Sequence, residues 1–243
     1  MNPVAYAKYI LMLGLLPCSL GHAADPIKLY YNDRPPYLMP APDGSASGLT
    51  GTPAGQAFIA AGVPFVWAKM PTNRQLLSFK KGDAAECGIG WFRNPEREQF
   101  AKFTKAIYRD KPTVALAGNG FTVKPGTRLE DVMVNKNPHI LAKDNYSYGA
   151  YIDGLIARLK PKIFRTTSEN SLMVEMIRMG RADFMFVAEE EASFLVEEAG
   201  ASAKDFHLIR FPDMPDGERR HIMCSKRVPD EVIQRVNKAI SFE

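Results

Sequence analysis

The chain has 243 residues, of which 46% are hydrophobic and 24% are charged, a balance typical of a globular protein rather than a disordered or fibrous one. Its formal net charge of +4 is small and evenly spread, which argues against a nucleic-acid-binding protein and leaves only a slight preference for anionic ligands. The length suits one large domain or two small lobes that share the chain.

The first 24 residues have the three parts of a secretory signal. Lys8 is the only charged residue before Asp25, residues 9–20 are mostly apolar, and small residues lead up to Ala23 and Ala24. A basic start, an apolar centre and a small-residue exit are typical of a cleaved signal peptide. We predict cleavage after Ala23 or Ala24, and therefore a soluble mature protein in the periplasm.

Two alternatives for this segment are weaker. A membrane anchor needs about 20 consecutive apolar residues, and neither residues 9–20 nor any later segment of the chain is long and apolar enough. Lipid attachment at Cys18 requires a small residue before the cysteine, whereas Pro17 precedes it.

Two cysteines, Cys87 and Cys224, follow the predicted cleavage site, each within an apolar, strand-like run. An exported protein meets oxidising conditions, so a disulfide between them is chemically allowed, and two buried free thiols are the alternative. The histidines His139, His207 and His221 form no metal-ligand spacing with the cysteines, and we expect neither a metal site nor a cofactor.

Short apolar runs alternate with helical patterns in the first half of the mature chain. Thr52, followed by Pro53, is typical of a helix start, and Thr72 with Gln75 is typical of a capping box. The predicted elements are a strand over 27–31, a helix from 52 to 62, a strand over 64–69, a helix over 72–81 and a strand over 85–90.

The second half continues the alternation. Thr127 with Glu130 again resembles a capping box, Ser168 is a candidate N-cap, and Gly180 is a candidate helix end. The predicted strands are 113–118, 139–143, 163–166, 182–187, 205–211 and 221–226. The predicted helices are 148–159, 168–180, 189–199 and 229–240.

This alternation predicts an α/β protein with a largely parallel sheet. The two halves repeat one plan of strand, helix, strand, helix and strand, although no sequence repeat accompanies it. Two lobes of this kind that face one another place the natural ligand site in the cleft between them.

Several short motifs occur in a fixed order along this plan. They are Pro35-Pro36-Tyr37, Asp43-Gly44 and Gly48-Leu49 after the first strand, Asn94-Pro95-Glu96-Arg97 after the third, then Tyr108, Gly180-Arg181-Ala182-Asp183 and Lys226 with Val228-Pro229. With these motifs, the chain resembles the periplasmic solute-binding proteins of amino-acid-type ABC uptake systems (bacterial extracellular solute-binding protein family 3). The resemblance extends from about Ile27 to Ile240.

The resemblance implies the type II periplasmic-binding-protein fold, in which the chain crosses between two lobes twice. Lobe one would then hold residues 25–110 and 218–243, and lobe two residues 111–217. The lobes would close around the ligand by a hinge motion.

The resemblance also implies ligand contacts in lobe one. Arg97 matches the family's arginine that binds the ligand carboxylate, and a planar guanidinium suits that role because it can donate two parallel hydrogen bonds. The alternative is a surface arginine paired with a neighbouring glutamate. Trp91 and Phe92 stand where the family often has small hydroxyl residues, and Tyr31 and Tyr37 are candidates to frame the same cleft, with core packing as the alternative for Trp91 and Tyr37.

In lobe two, the turn DNYSYG precedes a predicted helix, where backbone N–H groups can hold an anion. Asn145, Tyr146 and Ser147 are candidate contacts there, with simple helix capping as the alternative for Ser147. Asp144 is a candidate partner for a ligand cation.

Two positions depart from the family pattern. Ala188 stands where amino-acid binders of the family commonly have an aspartate for the ligand ammonium, and Glu189 is a candidate replacement; its alternative is an acid at a helix N-terminus, where the helix dipole favours it. Thr52 stands where many relatives have another aspartate. A standard α-amino acid ligand is therefore less certain than the resemblance suggests.

The predicted function is periplasmic binding of a small polar, carboxylate-bearing, amino-acid-like solute by a monomer that delivers it to an ABC transporter permease. The first alternative is an enzyme on the same fold, similar to the cyclohexadienyl dehydratases, which would use an acid such as Glu189, Glu190 or Asp144. The second is a secreted accessory or sensory binding protein. Since the sequence has no evident catalytic grouping, binding without catalysis is favoured.

Overall fold

A computed structural model describes residues 25–242 as two five-stranded sheets with helices on both faces. The predicted signal segment, including Cys18, lies outside these described residues. No helix within 25–242 is long and apolar enough to cross a membrane.

The first sheet is built from both ends of the described chain. From one edge to the other its strands are β4 (Phe65–Lys69), β1 (Ile27–Tyr31), β5 (Glu86–Phe92), β12 (Arg219–Ser225) and β6 (Ala101–Arg109). A small hairpin of β2 (Met39–Pro40) and β3 (Ala46–Ser47) follows β1.

The second sheet is built from the middle of the chain. Its strands are, in order, β11 (Phe206–Ile209), β7 (Thr113–Gly118), β10 (Phe184–Ala188), β8 (Ile140–Lys143) and β9 (Ile163–Thr166).

Eight α-helices and one 3₁₀ turn (Ala203–Asp205) occur within residues 25–242. The helices are α1 (Gly51–Ala60), α2 (Thr72–Lys81), α3 (Pro95–Glu98), α4 (Leu129–Asn135), α5 (Ala150–Leu159), α6 (Asn170–Arg178), α7 (Glu189–Glu198) and α8 (Asp230–Ala239).

Alternating side chains of each strand enter two separate cores, because successive residues of a strand point to opposite faces. In the first sheet, Leu29 packs with Phe58 of α1 and Val236 of α8, whereas Tyr30 packs with Phe79 of α2. The second sheet repeats this arrangement, with α6 and α7 over one face and α4 and α5 over the other. Burial on both faces explains why β1, β7 and β10 are nearly continuous apolar runs.

The chain passes between the sheets twice, and the two connecting segments touch. Residues 110–112 join β6 to β7, and residues 210–218 join β11 to β12. The Asp110 amide donates to the Glu218 carbonyl at 3.0 Å. Gly217 lies so close that a Cβ there would fall 1.8 Å from the Asp110 carbonyl oxygen, so this crossing requires glycine.

The expectation of a largely parallel sheet is wrong for half of the strand pairs. Each sheet has two parallel and two antiparallel pairings, and the antiparallel ones involve β6 and β12 in the first sheet and β7 and β11 in the second. These four strands flank the connecting segments, where the chain enters a sheet in the reverse direction. The sequence analysis also missed β6, because an edge strand whose polar side chains face water lacks a continuous apolar run.

Four predicted helix caps are displaced. Ser168 does not cap α6, since Glu169 stands at the N-cap and the Ser168 hydroxyl accepts from that of Thr166 at 2.7 Å. Thr52 lies inside the first turn of α1, where its Oγ1 accepts from the Gly48 amide at 3.1 Å. Thr72 is the first residue of α2, and its hydroxyl contacts that of Tyr146 at 3.0 Å instead of capping. At α4, the amide of Leu129 donates to the side chain of Asp213 at 2.8 Å, so the Thr127–Glu130 box is not formed. At α2 and α4, contacts with residues distant in sequence stand where local caps were predicted.

Cys87 and Cys224 are joined by a disulfide with an S–S distance of 2.06 Å. They lie directly opposite one another on the antiparallel pair β5 and β12, and both are fully buried. The bond ties the returning strand β12 to the N-terminal part of the first sheet across 137 residues of sequence.

We expect the Cys87→Ala/Cys224→Ala double variant to unfold with a free energy about 2–5 kcal/mol lower than that of the oxidised wild type, since the disulfide restricts the unfolded chain. Urea denaturation followed by circular dichroism measures the difference. After unfolding and refolding with dithiothreitol, the two proteins should differ little. Alkylation of the Cys87 and Cys224 peptides in the denatured, non-reduced protein would contradict the disulfide.

Candidate ligand-binding cleft

A cavity of about 70 Å³ lies between the two sheets. It is lined from the first sheet by residues that follow or end β1 and β5, and from the second by residues after β8 and at the end of β10. These are the carboxyl ends of parallel strands, where open α/β sheets place their ligands. The fold thus brings the two halves of the chain to one candidate site.

Arg97 lines this cavity and is held there by its local sequence. Asn94 caps the short helix α3, and its side chain accepts from the Arg97 amide at 2.9 Å, with Pro95 at the first helical position. The guanidinium lies over the Trp91 ring at 4.8 Å, and its Nη1 donates to the Phe92 carbonyl at 2.7 Å. Its orientation is therefore fixed before any ligand arrives.

The Arg97 guanidinium has spare donors. The residue is 7% exposed, and within residues 25–242 no carboxylate lies within 4.0 Å of its nitrogen atoms, so the predicted alternative of a pair with a neighbouring glutamate is not formed. Burial lowers the pKa of Arg97, partly offset by the negative charge of Asp153, yet an arginine remains protonated in proteins. A buried cation with four N–H groups not donated to the protein is suited to bind an anion.

A second arginine in the cleft, Arg220, has its charge paired by the protein and donates three hydrogen bonds to it. Its Nε and Nη2 donate to the two carboxylate oxygens of Asp110, each at 2.6 Å, and its Nη1 donates to the Gly90 carbonyl at 2.9 Å. The guanidinium also lies over the rings of Tyr37 and Phe92, at 4.0 and 4.7 Å. This pair was not predicted from the sequence. The available signal was the position of Asp110, two residues after the motif residue Tyr108 and directly after β6.

A third arginine joins the two lobes. Arg34 donates from Nε and Nη2 to the two carboxylate oxygens of Glu191, at 2.7 and 2.8 Å. Arg34 follows β1 of the first sheet, whereas Glu191 is a buried residue of α7 beside the second sheet. This fork is an interlobe contact that the sequence analysis also missed.

Two weaker contacts accompany it. The Tyr108 hydroxyl donates to Glu190 at 3.0 Å, and Glu190 also accepts from the Lys111 amide. The hydroxyls of Thr72 and Tyr146 share a hydrogen bond at 3.0 Å.

Aromatic rings form much of the cavity wall. Trp91 has both of the positions predicted as alternatives, in the cleft and in the core. It lines the cavity, and its Nε1 donates to Gln75 at 3.3 Å within the core. Phe92, Tyr37 and Tyr146 line the cavity as well. The Tyr37 hydroxyl is buried with no hydrogen-bond partner within residues 25–242, and burial raises its pKa far above the ordinary value.

The start of α5 is already satisfied by protein groups. Ser147 lines the cavity, but its hydroxyl donates to Asp153 and accepts from the Gly149 amide, which is a capping role. The Tyr148 amide donates to Asp153 at 2.9 Å, and the Ala150 amide donates to Glu218 at 2.9 Å. The expected anion site at this helix start is therefore occupied by the protein's own carboxylates.

Four other predicted residues do not line the cavity between the sheets. Tyr31 lies in the core of the first sheet, edge-on to Trp67. Asp144 accepts from the side chain of Asn145, and Asn145 lines a separate depression of about 140 Å³ beside Arg97. Glu189 pairs with Arg210, whose hydrogen bond lowers the pKa of the Glu189 carboxyl.

Ala188 does line the cavity, at the end of β10 and at the N-cap of α7. Glu189 begins α7, pairs with Arg210 and is not among the residues that line the cavity. Within residues 25–242 no cluster of three histidine, cysteine, aspartate or glutamate side chains is arranged to hold a metal ion.

Comparison with known proteins gives a likeness of structure alone. No protein-family model and no curated protein sequence matches the chain. Solved structures do match, including an ancestral arginine-binding protein bound to arginine, with a TM-score of 0.67 and 13% identity over 88% of this chain and 90% of that one.

Two further matches are similar. One is a structure described for glutathione import via GshT and the cystine ABC importer TcyBC of Streptococcus mutans, with a TM-score of 0.69 and 13% identity over 88% and 86% of the two chains. The other is holo ArgBP from T. maritima, with a TM-score of 0.65 and 16% identity over 88% of each chain. The chain has the two-lobed periplasmic-binding-protein fold. The fold that the sequence predicted is thereby confirmed.

We expect Glu191→Gln to weaken the contact between the lobes, because a neutral amide cannot accept both charged donors of Arg34. The free energy of unfolding should fall by about 1–3 kcal/mol, and the radius of gyration from small-angle X-ray scattering should increase as the cleft opens. Glu197→Gln, an exposed change on the same helix, is the matched control and should alter neither. Equal scattering from both variants would show that the fork does not hold the lobes together.

Proposed function

We propose that this protein binds a small, carboxylate-bearing solute of amino-acid size in the cleft between its lobes and delivers it to an ABC importer in the periplasm. The observation that carries the proposal is Arg97, a buried guanidinium at the cavity that forms no ion pair within 4.0 Å among residues 25–242. The fold supports it, since the similar structures are of an arginine-binding protein, an ancestral one bound to arginine and a component of a glutathione and cystine import system.

The proposed movement is a hinge motion of the two lobes about the paired connecting segments. Residues 25–110 with 218–243 would form one lobe and residues 111–217 the other, and ligand binding would close them about residues 110–112 and 210–218. The Arg34–Glu191 fork links the lobes at the cavity and would support the closed form. The signal predicted in residues 1–24 supports export.

Binding without catalysis is the favoured activity. A general acid or base has to lie within hydrogen-bond reach of its substrate. Of the acids considered for that role, Glu189 pairs with Arg210, Glu190 accepts from Tyr108, and Asp144 lies outside the cavity lining. The carboxylate that does line the cavity, Asp110, has both oxygens held by Arg220.

We expect Arg97→Gln to weaken ligand binding by about 10- to 150-fold, because hydrogen bonds to a charged group contribute about 1.5–3 kcal/mol. A thermal-shift screen of amino acids, polyamines, small carboxylates and prephenate-like acids identifies the ligand, and titration calorimetry measures the affinity.

Arg93→Gln is the matched control, since Arg93 lies four residues away in a surface pair with Glu98 and should bind as wild type does. Unchanged affinity in Arg97→Gln would remove the proposed anchor. Conversion of the ligand into a product, followed by chromatography, would contradict the proposal of a pure binding protein.

A further inference from the structure

We propose that the cleft selects carboxylic acids that carry no ammonium group, and discriminates against the α-amino acids of the same skeleton. This inference rests on the proposed function, because it specifies the ligand of that same site. It comes from a count of the charged donors and acceptors that the protein places around the cavity.

Cationic donors are in excess around the cavity. The side chains of Arg34, Arg97 and Arg220 all line it, whereas two carboxylates, Asp110 and Glu191, lie beside them. Asp153 acts on Arg97 from more than 4.0 Å away, and its oxygens accept from the Ser147 hydroxyl and the Tyr148 amide. The charge of Arg97 is therefore the one in this cluster that no carboxylate of residues 25–242 pairs directly. A ligand carboxylate neutralises this charge, and a ligand ammonium brings a new one.

The carboxylates are not available to a ligand. Both oxygens of Asp110 accept from Arg220 at 2.6 Å, and both oxygens of Glu191 accept from Arg34 at 2.7 and 2.8 Å. Two backbone acceptors at the cavity are likewise used, since Gly90 accepts from Arg220 and Phe92 accepts from Arg97. A buried ammonium needs a charged partner, and the residues that line the cavity leave it none.

Two side chains that line the cavity, Arg97 and Tyr37, have unused donors. Arg97 keeps the N–H groups that do not reach Phe92. The Tyr37 hydroxyl is buried without a partner within residues 25–242, and it stays protonated because burial disfavours the phenolate. Donors with no free carboxylate among the lining residues fit a ligand rich in acceptor oxygens, such as a monocarboxylate, dicarboxylate or keto acid.

Position 188 explains why the cleft lacks an acceptor in lobe two. Ala188 lines the cavity, is 6% exposed and forms the N-cap of α7. A carboxylate at an N-cap is well tolerated because it accepts from the first amides of the helix. An aspartate there would supply the missing negative charge without disturbing the fold.

The test compares ligands that differ only by the α-ammonium group. Titration calorimetry at low salt on the wild-type protein uses propanoate and L-alanine, succinate and L-aspartate, glutarate and L-glutamate, and 3-phenylpropanoate and L-phenylalanine. In each pair that binds, we expect the acid without the ammonium to bind at least ten-fold more tightly. Ala188→Asp should reduce that preference at least ten-fold, whereas the neutral Ala188→Asn should leave it unchanged.

The outcomes separate the two proposals. Equal or tighter binding of the amino acids by wild type would overturn this inference and leave the proposed binding function in place. A preference that persists unchanged in a folded Ala188→Asp protein would overturn the explanation by a missing carboxylate. Binding of neither member of any pair would overturn the inference and count against the proposed function as well.

Discussion

Three guanidinium groups lie between two sheets, and the need to compensate their charges away from water determines how the cleft is built. A charge removed from water is costly unless it is paired and hydrogen-bonded. Arg220 and Arg34 meet this requirement through two-point forks onto Asp110 and Glu191. Arg97 meets it only in part, through the Phe92 carbonyl and the Trp91 ring.

The two forks act at different places in the fold. Asp110 is the first residue after β6, where the chain leaves the first sheet, and Arg220 is the second residue of β12, where the chain has returned to it. Their fork therefore holds the first connecting segment to the start of β12, beside the close contact of Gly217 with the Asp110 carbonyl. The fork between Arg34 and Glu191 instead links the lobes themselves. One ion pair lies at the paired connecting segments, and the other links the two lobes across the cleft.

The fold and one of the three arginines of the cleft could be predicted from the sequence. Strands and helices were predictable because their apolar spacing is local, and Arg97 was predictable because Asn94, Pro95 and Arg97 lie in one short motif. Neither fork could be predicted from the sequence, because the partners of each lie 110 and 157 residues apart, respectively. The caps of α2 and α4 failed for the same reason, because Tyr146 and Asp213 engage these helix starts from a distance.

The same comparison of charges explains why Arg97, rather than Arg34 or Arg220, is the proposed anchor for a ligand. A ligand carboxylate that took Arg220 would leave Asp110 buried and unpaired, and one that took Arg34 would do the same to Glu191, whose side chain is 2% exposed. Breaking a buried pair in this way is strongly unfavourable. Arg97 can accept a ligand anion with no such loss, because no protein carboxylate within residues 25–242 has to be released. An anion bound at Arg97 would also leave the Arg34–Glu191 fork intact, so the proposed binding and the proposed closure of the lobes would not compete.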